Sequence, residues 1–579
     1  MTFSWENILQ ILNNNSTEVV FWNQFAHFFG SEPLAFFFSW LHIIQFTVIT
    51  FSILIITMYL PRKVETLVFL NRIIFFYLTL NFLFSILDRA LRVSEDIKNN
   101  LFTSSELISI DKIFQEDSFF FQLFYAYGIL VLIIFFYGVL DNYFLKNNDD
   151  TEFPLIVCFL ALGAFVIFHI HTLIEFFIAI EIVTLASYVC IGYEKQNRFS
   201  SYASVQYFIL GSLPSGMLIL AFSLWYQTVG VVAFEDLDLI FILFNDINSQ
   251  SILDFLNYDL NVSSQNALDI KSRFKDIILP EISDIKSLYT YTSPVSLIND
   301  VTIIMGLLLF IFNLFFKLTA APFHFWAPSV YKNGPTISVT FLSIFLKTMV
   351  LFICYKIIFI VFQIFNLIIT PIFLACGVLS ILVGILGAFS EKMIKPFYVY
   401  SSMGHVGFML IGLSLFTVNG VTATFHYLLI YILSSYLMWF ILVYLGNKTK
   451  YLVSLKVLNN THPLIAFIYA ILVFSMSGIP PLGGFFIKLD ILSSLLESSY
   501  FFITYVLFIF TVISFFYYLR LNKIIFFDTE KEIVTWQNPV LVSERLLLFS
   551  LIFIILFCYV LLIQNPLFII QTEFSNSLL

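Results

Sequence analysis

Charge is scarce in this sequence, and that scarcity decides its class. Only 11% of the 579 residues are Asp, Glu, Lys or Arg, while 60% are apolar. A soluble domain carries about a quarter charged residues and about half apolar ones, so a soluble globular chain is excluded. The formal charge of -9 sits mostly in a few polar loops. No basic patch suggests a nucleic-acid partner. The five cysteines, Cys158, Cys190, Cys354, Cys376 and Cys558, are far apart in apolar runs and form no CxxC. An iron-sulfur site needs clustered thiolates, so these read as small core residues. There is no GxGxxG after a strand, no Walker loop and no nucleophilic triad pattern. The chain is therefore not expected to bind a nicotinamide nucleotide, a flavin or ATP by itself.

What the sequence has instead is apolar runs from end to end, with a mean hydropathy of +0.94. Many approach the roughly 20 residues that a bilayer-spanning helix needs. They do not alternate as β-barrel strands would. The fold class is an all-α polytopic membrane protein. About fourteen spans are expected, near 34–60, 67–88, 118–140, 153–170, 172–193, 202–229, 298–321, 335–357, 368–389, 397–418, 420–446, 463–493, 500–521 and 544–564. The weakest divisions fall inside 153–193 and 335–389, where no long polar loop intervenes.

Lys and Arg gather in the short loops after odd-numbered spans: Arg62 and Lys63, Lys146, Lys195 and Arg198, Lys332, Lys392 and Lys395, Lys448 with Lys450 and Lys456, then Arg520 and Lys523. Positive loops face inside, so both termini are expected to face out. Three polar segments, 1–33, 89–117 and 231–297, share that outer side. They read equally as solvated loops or as docking surfaces. The first 33 residues hold Glu6, Glu18 and Glu32 but no Lys or Arg, unlike an Arg-rich transit peptide. The 74 Phe, with abundant Ile and Asn, suggest an AT-rich coding genome and hint at organellar coding.

Against this apolar background four charges stand out. A charge at mid-bilayer costs at least about 2.5–3.5 kcal/mol, which makes it a functional candidate. Glu181 lies in FFIAIEIVTLASYV, Lys317 in NLFFKLTAAPFHFW, Lys347 in FLSIFLKTMVLFICY and Lys488 in SGIPPLGGFFIKLD. The bland reading of each is a structural ion pair. Span 7 carries Pro322 and span 12 carries Gly478, Pro480, Pro481, Gly483 and Gly484. Such breakers interrupt helices, and interrupted helices at matched places in two halves point to a transport site. A simple kink is the alternative. His324 follows Lys317 by two helical turns and is a candidate relay, or equally a hydrogen-bonded core histidine. His405 and His426 are weaker candidates. His169 and His171 form an HxH without a completing ligand, so a metal is not expected.

These motifs resemble a known family. KLTAAPFHFWAPSVYKNGPTISVTFLSIFLK resembles the most characteristic block of the antiporter-like membrane subunits of respiratory complex I, whose two lysines stand thirty residues apart as Lys317 and Lys347 do. FFIAIEIVTLASYV, SSYASVQYFILGSLPSGMLILAFSLWYQTVG, KPFYVYSSMGHVGFMLIGL and FSMSGIPPLGGFFIKLDIL resemble its fifth, sixth, tenth and twelfth spans. The resemblance covers roughly 150–525.

It implies two inverted five-helix repeats, spans 4–8 (151–357, with the insertion 231–297) and 9–13 (358–522), with spans 7 and 12 broken. Spans 1–3 (34–150) precede the repeats, and span 14 with a short tail (523–579) follows. It also implies a proton relay in which Glu181 pairs with Lys317, Lys347 is central and Lys488 leads outward or to a neighbour, with His324 between Lys317 and Lys347. NADH, FMN, iron-sulfur clusters and ubiquinone would be held by partner subunits and no cofactor by this chain. The implied partners are other membrane-arm subunits, of the subunit 4 and subunit 4L types, with accessory subunits at the outer polar segments and lipids around. The implied place is the mitochondrial inner membrane, with quinone reduction elsewhere driving the relay.

Of the three large members of the family, one type carries glutamate where Lys488 stands and another a long lateral helix after its last span. A lysine here and a short tail point to the third. Asp490 beside Lys488 departs from the family pattern and puts that lysine's charge in question. The outer polar segments, which the family usually keeps short, depart from it as well. A cation/proton antiporter subunit of the same fold, a structural scaffold and a lone transporter are the alternatives.

Overall fold

A computed structural model of the chain describes residues 153–168, 170–194, 197–234, 237, 293–445, 450–480 and 482–527. The expected spans 1–3 and 14, the segments 1–33 and 89–117, most of 231–297, and His169 and Cys558 lie outside the described residues.

The described chain is helical, and among these residues only two isolated antiparallel bridges occur, Thr172 with Ala233 and Met393 with Tyr451. Its helices are α1 (Phe153–Phe168), α2 (Leu173–Ile191), α3 (Arg198–Val229), α4 (Ser293–Leu318), α5 (Trp326–Asn333), α6 (Thr336–Ile358), α7 (Asn366–Ser390), α8 (Ile394–Ser414), α9 (Val418–Leu445), α10 (Pro463–Ser477), α11 (Gly483–Glu497) and α12 (Phe501–Phe526). Each of the ten spans expected between 153 and 521 falls on one of these, except that span 12 is two half-length helices, α10 and α11. Seven helical stretches among the described residues are long and apolar enough to cross a membrane.

Local chemistry sets the boundaries. Thr172 caps α2 by accepting from the Glu175 amide while Glu175 accepts from the Thr172 amide, a reciprocal capping box. That box cuts 153–193 into two helices. Asn197 caps α3, and Gly230 ends it in the left-handed conformation. Pro463 opens α10, where its missing N–H costs nothing. The end of α6 runs into a π-helical stretch, Cys354–Val361, and a 3-10 turn, Gln363–Phe365, then leads to α7. This is how 335–389 divides without a polar loop.

Packing sorts the helices by depth. The α6 span is wholly buried and α9 almost so, while α3 and α12 expose most of their apolar length. Phe199, Phe208, Phe502 and Tyr505 are among the side chains they turn outward, a lipid-facing pattern. The α7–α8 pair packs closest. A Cβ on Gly384 would meet Tyr400 O at 2.7 Å and Gly404 N at 2.8 Å, so this glycine lets the two membrane helices approach. The polar residues of interest lie on the inner helices that this arrangement encloses.

Candidate functional site

A buried lysine lies beside the break of each broken helix. The last carbonyls of a helix have no intrahelical donor and form the negative end of its dipole. Lys317 occupies the last turn of α4. Two residues later Thr319 takes a positive φ of 61°, and the chain turns through 320–325 before α5. Lys488 lies on α11, after its own break, yet reaches back to the end of α10. Its Nζ donates to Ser477 O at 2.8 Å and Met476 O at 3.2 Å. Lys488 thus satisfies the end of α10 from beyond its break, whereas Lys317, in the last turn of α4, is buried without a hydrogen-bond partner.

Gly478 makes the second arrangement possible. Its φ is +88°, and a Cβ there would meet Lys488 Cδ at 3.0 Å and Nζ at 3.2 Å. Gly478→Ala is expected to cost about 1–2 kcal/mol in backbone strain and to push Lys488 off the carbonyls. Heating detergent-solubilised protein and following the loss of the assembled band checks this. A variant as heat-resistant as the parent would count against the tight seat.

Lys317 and Glu181 face each other without touching. Glu181, on α2, lies within electrostatic range of Lys317. No direct ion pair joins them, and Lys317 Nζ and Glu181 Oε1 are both buried without a hydrogen-bond partner. Glu181 Oε2 accepts only from Thr184, at 3.4 Å. The pair is open in this structure.

Lys347 is the most enclosed of the four, at 1% exposure. It stands on α6 just after a π-helical turn, Leu342–Leu346, a distortion common at functional sites. Its Nζ donates to Ser402 Oγ at 2.6 Å and lies 5.8 Å from the centre of the Tyr431 ring. Ser402 belongs to α8, which also carries His405. His405 Nδ1 bonds Tyr427 Oη at 2.7 Å and Nε2 bonds Tyr518 Oη at 2.8 Å. Tyr518 also bonds Ser401 Oγ at 2.5 Å, and Tyr398 bonds Tyr469. His405 lies within electrostatic reach of both Lys347 and Lys488. Lys488 Nζ lies 5.9 Å from the centre of the Phe408 ring, on the same helix one turn on. Lys347 bonds Ser402, and His405 with Tyr427, Tyr518 and Ser401 forms a buried hydrogen-bonded set within electrostatic reach of both lysines.

Sequence reasoning ranked His405 low and did not single out Ser401, Ser402 or Tyr518. Partners such as His405 and Tyr518 are 113 positions apart, and no spacing rule connects them. It also passed over Lys356, buried at 6% on α6, whose Nζ donates to Ile170 O at 2.8 Å. That residue shares the signature of Lys347 but falls at the edge of the expected span. His324 was expected between Lys317 and Lys347. It lies in the turn after α4, half-buried against Phe325, and bonds neither lysine. His171 and Cys158, Cys190 and Cys354 form no metal-binding group among the described residues. Asp490 does not pair with Lys488. It faces the other way and meets His426 at 3.3 Å.

A second cluster lies on the side with the basic loops. Lys395 Nζ donates to Gly334 O at 2.7 Å, tying the start of α8 to the end of α5. Burial pushes Lys395 down to about 8, with Glu194 acting to raise it and Lys450 to lower it.

This architecture has known counterparts. The family model described as NADH:quinone oxidoreductase/Mrp antiporter, transmembrane region, matches residues 171–261 and 279–514. The chain belongs to this family of antiporter-like membrane subunits. Its similarity is to the chain 2 and subunit N members. NADH-ubiquinone oxidoreductase chain 2 of Marchantia polymorpha is 30% identical over 440 residues, 76% of this chain and 79% of that one. NADH-quinone oxidoreductase subunit N of a Wolbachia from Brugia malayi is 30% identical over 412 residues, 70% and 75% of the two chains. A chain of respiratory complex I from Thermus thermophilus superposes with a TM-score of 0.63 at 19% identity, covering 91% of this chain and 98% of that one.

Proposed function

We propose that this chain is a proton-translocating membrane-arm subunit of an NADH:ubiquinone oxidoreductase and moves protons along its buried lysines. The observation that carries the reading is that Lys347 bonds Ser402 on α8 while His405, three residues further along that helix, lies within electrostatic reach of both Lys347 and Lys488. A buried charge is costly, and a chain that only held lipids apart would have no use for four.

The charge pair Glu181–Lys317 supplies the switch. A carboxylate moving toward a buried lysine favours its charged form, and moving away releases the proton. The proton passes to Lys347, then through the Ser402, His405 and Tyr518 hydroxyl and imidazole groups, and reaches Lys488 at the second break. Non-helical backbone at membrane depth belongs beside protein or a water-filled cavity, so the breaks at 319–325 and 478–482 are the natural places for water to enter. The two broken helices also fit two inverted repeats, spans 4–8 and 9–13. NADH, FMN, iron-sulfur clusters and ubiquinone then belong to partner subunits, and quinone reduction biases the Glu181–Lys317 pair from a distance. The plant relatives named NADH-ubiquinone oxidoreductase chain 2 fit a site in the mitochondrial inner membrane, with the basic loops toward the matrix.

The second reading, a cation/proton antiporter subunit, draws on the Mrp half of the family description. A native gel of mildly solubilised membranes separates the two. This chain is expected in the large band that stains for NADH dehydrogenase activity. Recovery only in a smaller band without that activity would favour the antiporter.

A further inference from the structure

We propose that the seam between α9 and α11 at Asp490 is a contact surface for a transmembrane helix of a neighbouring subunit, one that presents a basic side chain to the Asp490 carboxylate. Two polar pairs join these helices. Asn419 Nδ2 donates to Glu497 Oε2 at 2.6 Å, and His426 Nδ1 meets Asp490 Oδ2 at 3.3 Å. The pairs are seven positions apart on each helix and run in opposite directions, 419 with 497 and 426 with 490. Two turns of each helix separate them, so they share one side of an antiparallel pair.

The depth of the inner pair matters. The α9 span is Asn419–Val443, with its middle at 431. His426 is five residues from that middle, a rise of about 8 Å, whereas the hydrocarbon half-thickness is about 15 Å. Asn419 and Glu497 mark the end of the span, and Asp490 lies well inside it. Its side chain is nevertheless 46% exposed. A carboxylate turned to acyl chains at that depth has lost its water and is costly to keep there.

Nothing within the described chain relieves this. His426 covers one oxygen at a long distance, and its own Nε2 is buried without a hydrogen-bond partner. Lys488, two residues away, is committed to the carbonyls of α10. The surrounding surface suits a helix. Leu489 and Leu496 are exposed at 43% and 50% and flank the stripe. Ser493, exposed between Asp490 and Glu497, is small enough for close approach. A lysine or arginine on an incoming helix completes the pair, and charge complementarity at low dielectric makes the contact selective.

The test places a reporter beside the carboxylate. Ser493→Cys in the assembled complex is labelled with a benzophenone maleimide, irradiated, and compared with the parent chain and with Phe502→Cys, a position 80% exposed on the lipid-facing side of α12. The expected result at 493 is an adduct to a second membrane subunit, on a peptide that carries Lys or Arg within about two helical turns, and lipid adducts at 502. Adding Asp490→Lys to the Ser493→Cys chain should abolish the inter-subunit adduct, and Asp490→Asn should weaken it. Adducts at 493 only to lipid, or only within this chain, overturn the proposal. So does an inter-subunit adduct undiminished by Asp490→Asn.

Discussion

Lys347→Ala should leave the complex assembled and cut its NADH:ubiquinone turnover by about tenfold or more, a barrier increase of at least ~1.4 kcal/mol. Two features lead to this expectation. Lys347 is almost wholly enclosed, and its only side-chain hydrogen bond among the described residues is to Ser402. Alanine therefore removes a proton site that no neighbouring cation replaces. It also removes a costly buried charge, which offsets part of the cavity left by the lost lysine stem. A buried group with a single polar partner is easier to delete than one in a closed ion pair, where the remaining partner would be stranded. Assembly is read by native gel and turnover by NADH oxidation in the same membranes. Lys347→Arg keeps a charge but not a transferable proton, and should be as slow as alanine. If arginine restored turnover, Lys347 would be a structural cation and the relay would lose its centre.

His405→Leu is expected to be nearly as damaging, for a different reason. His405 joins Tyr427 to Tyr518, and Tyr518 to Ser401. Leucine fills the space but leaves Tyr427 Oη without its imidazole partner, at roughly 1–3 kcal/mol for a stranded buried polar group. Some heat stability is therefore lost along with turnover. His405→Gln separates the two effects, because an amide can both donate and accept. It should recover most of the stability and little of the turnover, since an amide does not carry a proton. Heat resistance of the activity-stained band gives the first quantity and NADH oxidation the second. Full turnover with glutamine would reduce His405 to a packing residue.

The difference between these two residues shows what a sequence can disclose about such a protein. Lys347 announces itself because any charge inside an apolar run is conspicuous. The same holds for Glu181, Lys317 and Lys488, and the two breaks were legible from Pro322 and from the Gly478–Gly484 cluster. The helical stretches from 153 to 521 were legible from their apolar runs, and seven of the described helices are long and apolar enough to cross a membrane. Ser402, His405 and Tyr518 were not, because hydroxyl and imidazole side chains occur throughout membrane helices and acquire meaning only through contacts more than a hundred positions apart. Lys356 was obscured by its place near a span end, where a lysine could be reaching for the interface. Asp490 was read as a threat to the charge of Lys488. The structure separates them onto different faces of α11, one buried against α10 and the other toward α9. Adjacency in sequence said nothing about that rotation.

Lys317 and Lys488 carry a further lesson. Alignment by their distance from the break does not pair them, since one precedes it and the other follows it by ten residues. What they share is a buried place beside a break, and only Lys488 donates to the carbonyls of a half-helix end.

The most direct test is the proton-to-electron ratio of the purified complex in sealed vesicles, measured with a pH-sensitive dye while NADH is oxidised at a matched rate, for the parent and for Lys347→Ala. A relay running through this chain predicts a lower ratio in the variant. An unchanged ratio at the same electron flow would mean that the protons travel elsewhere.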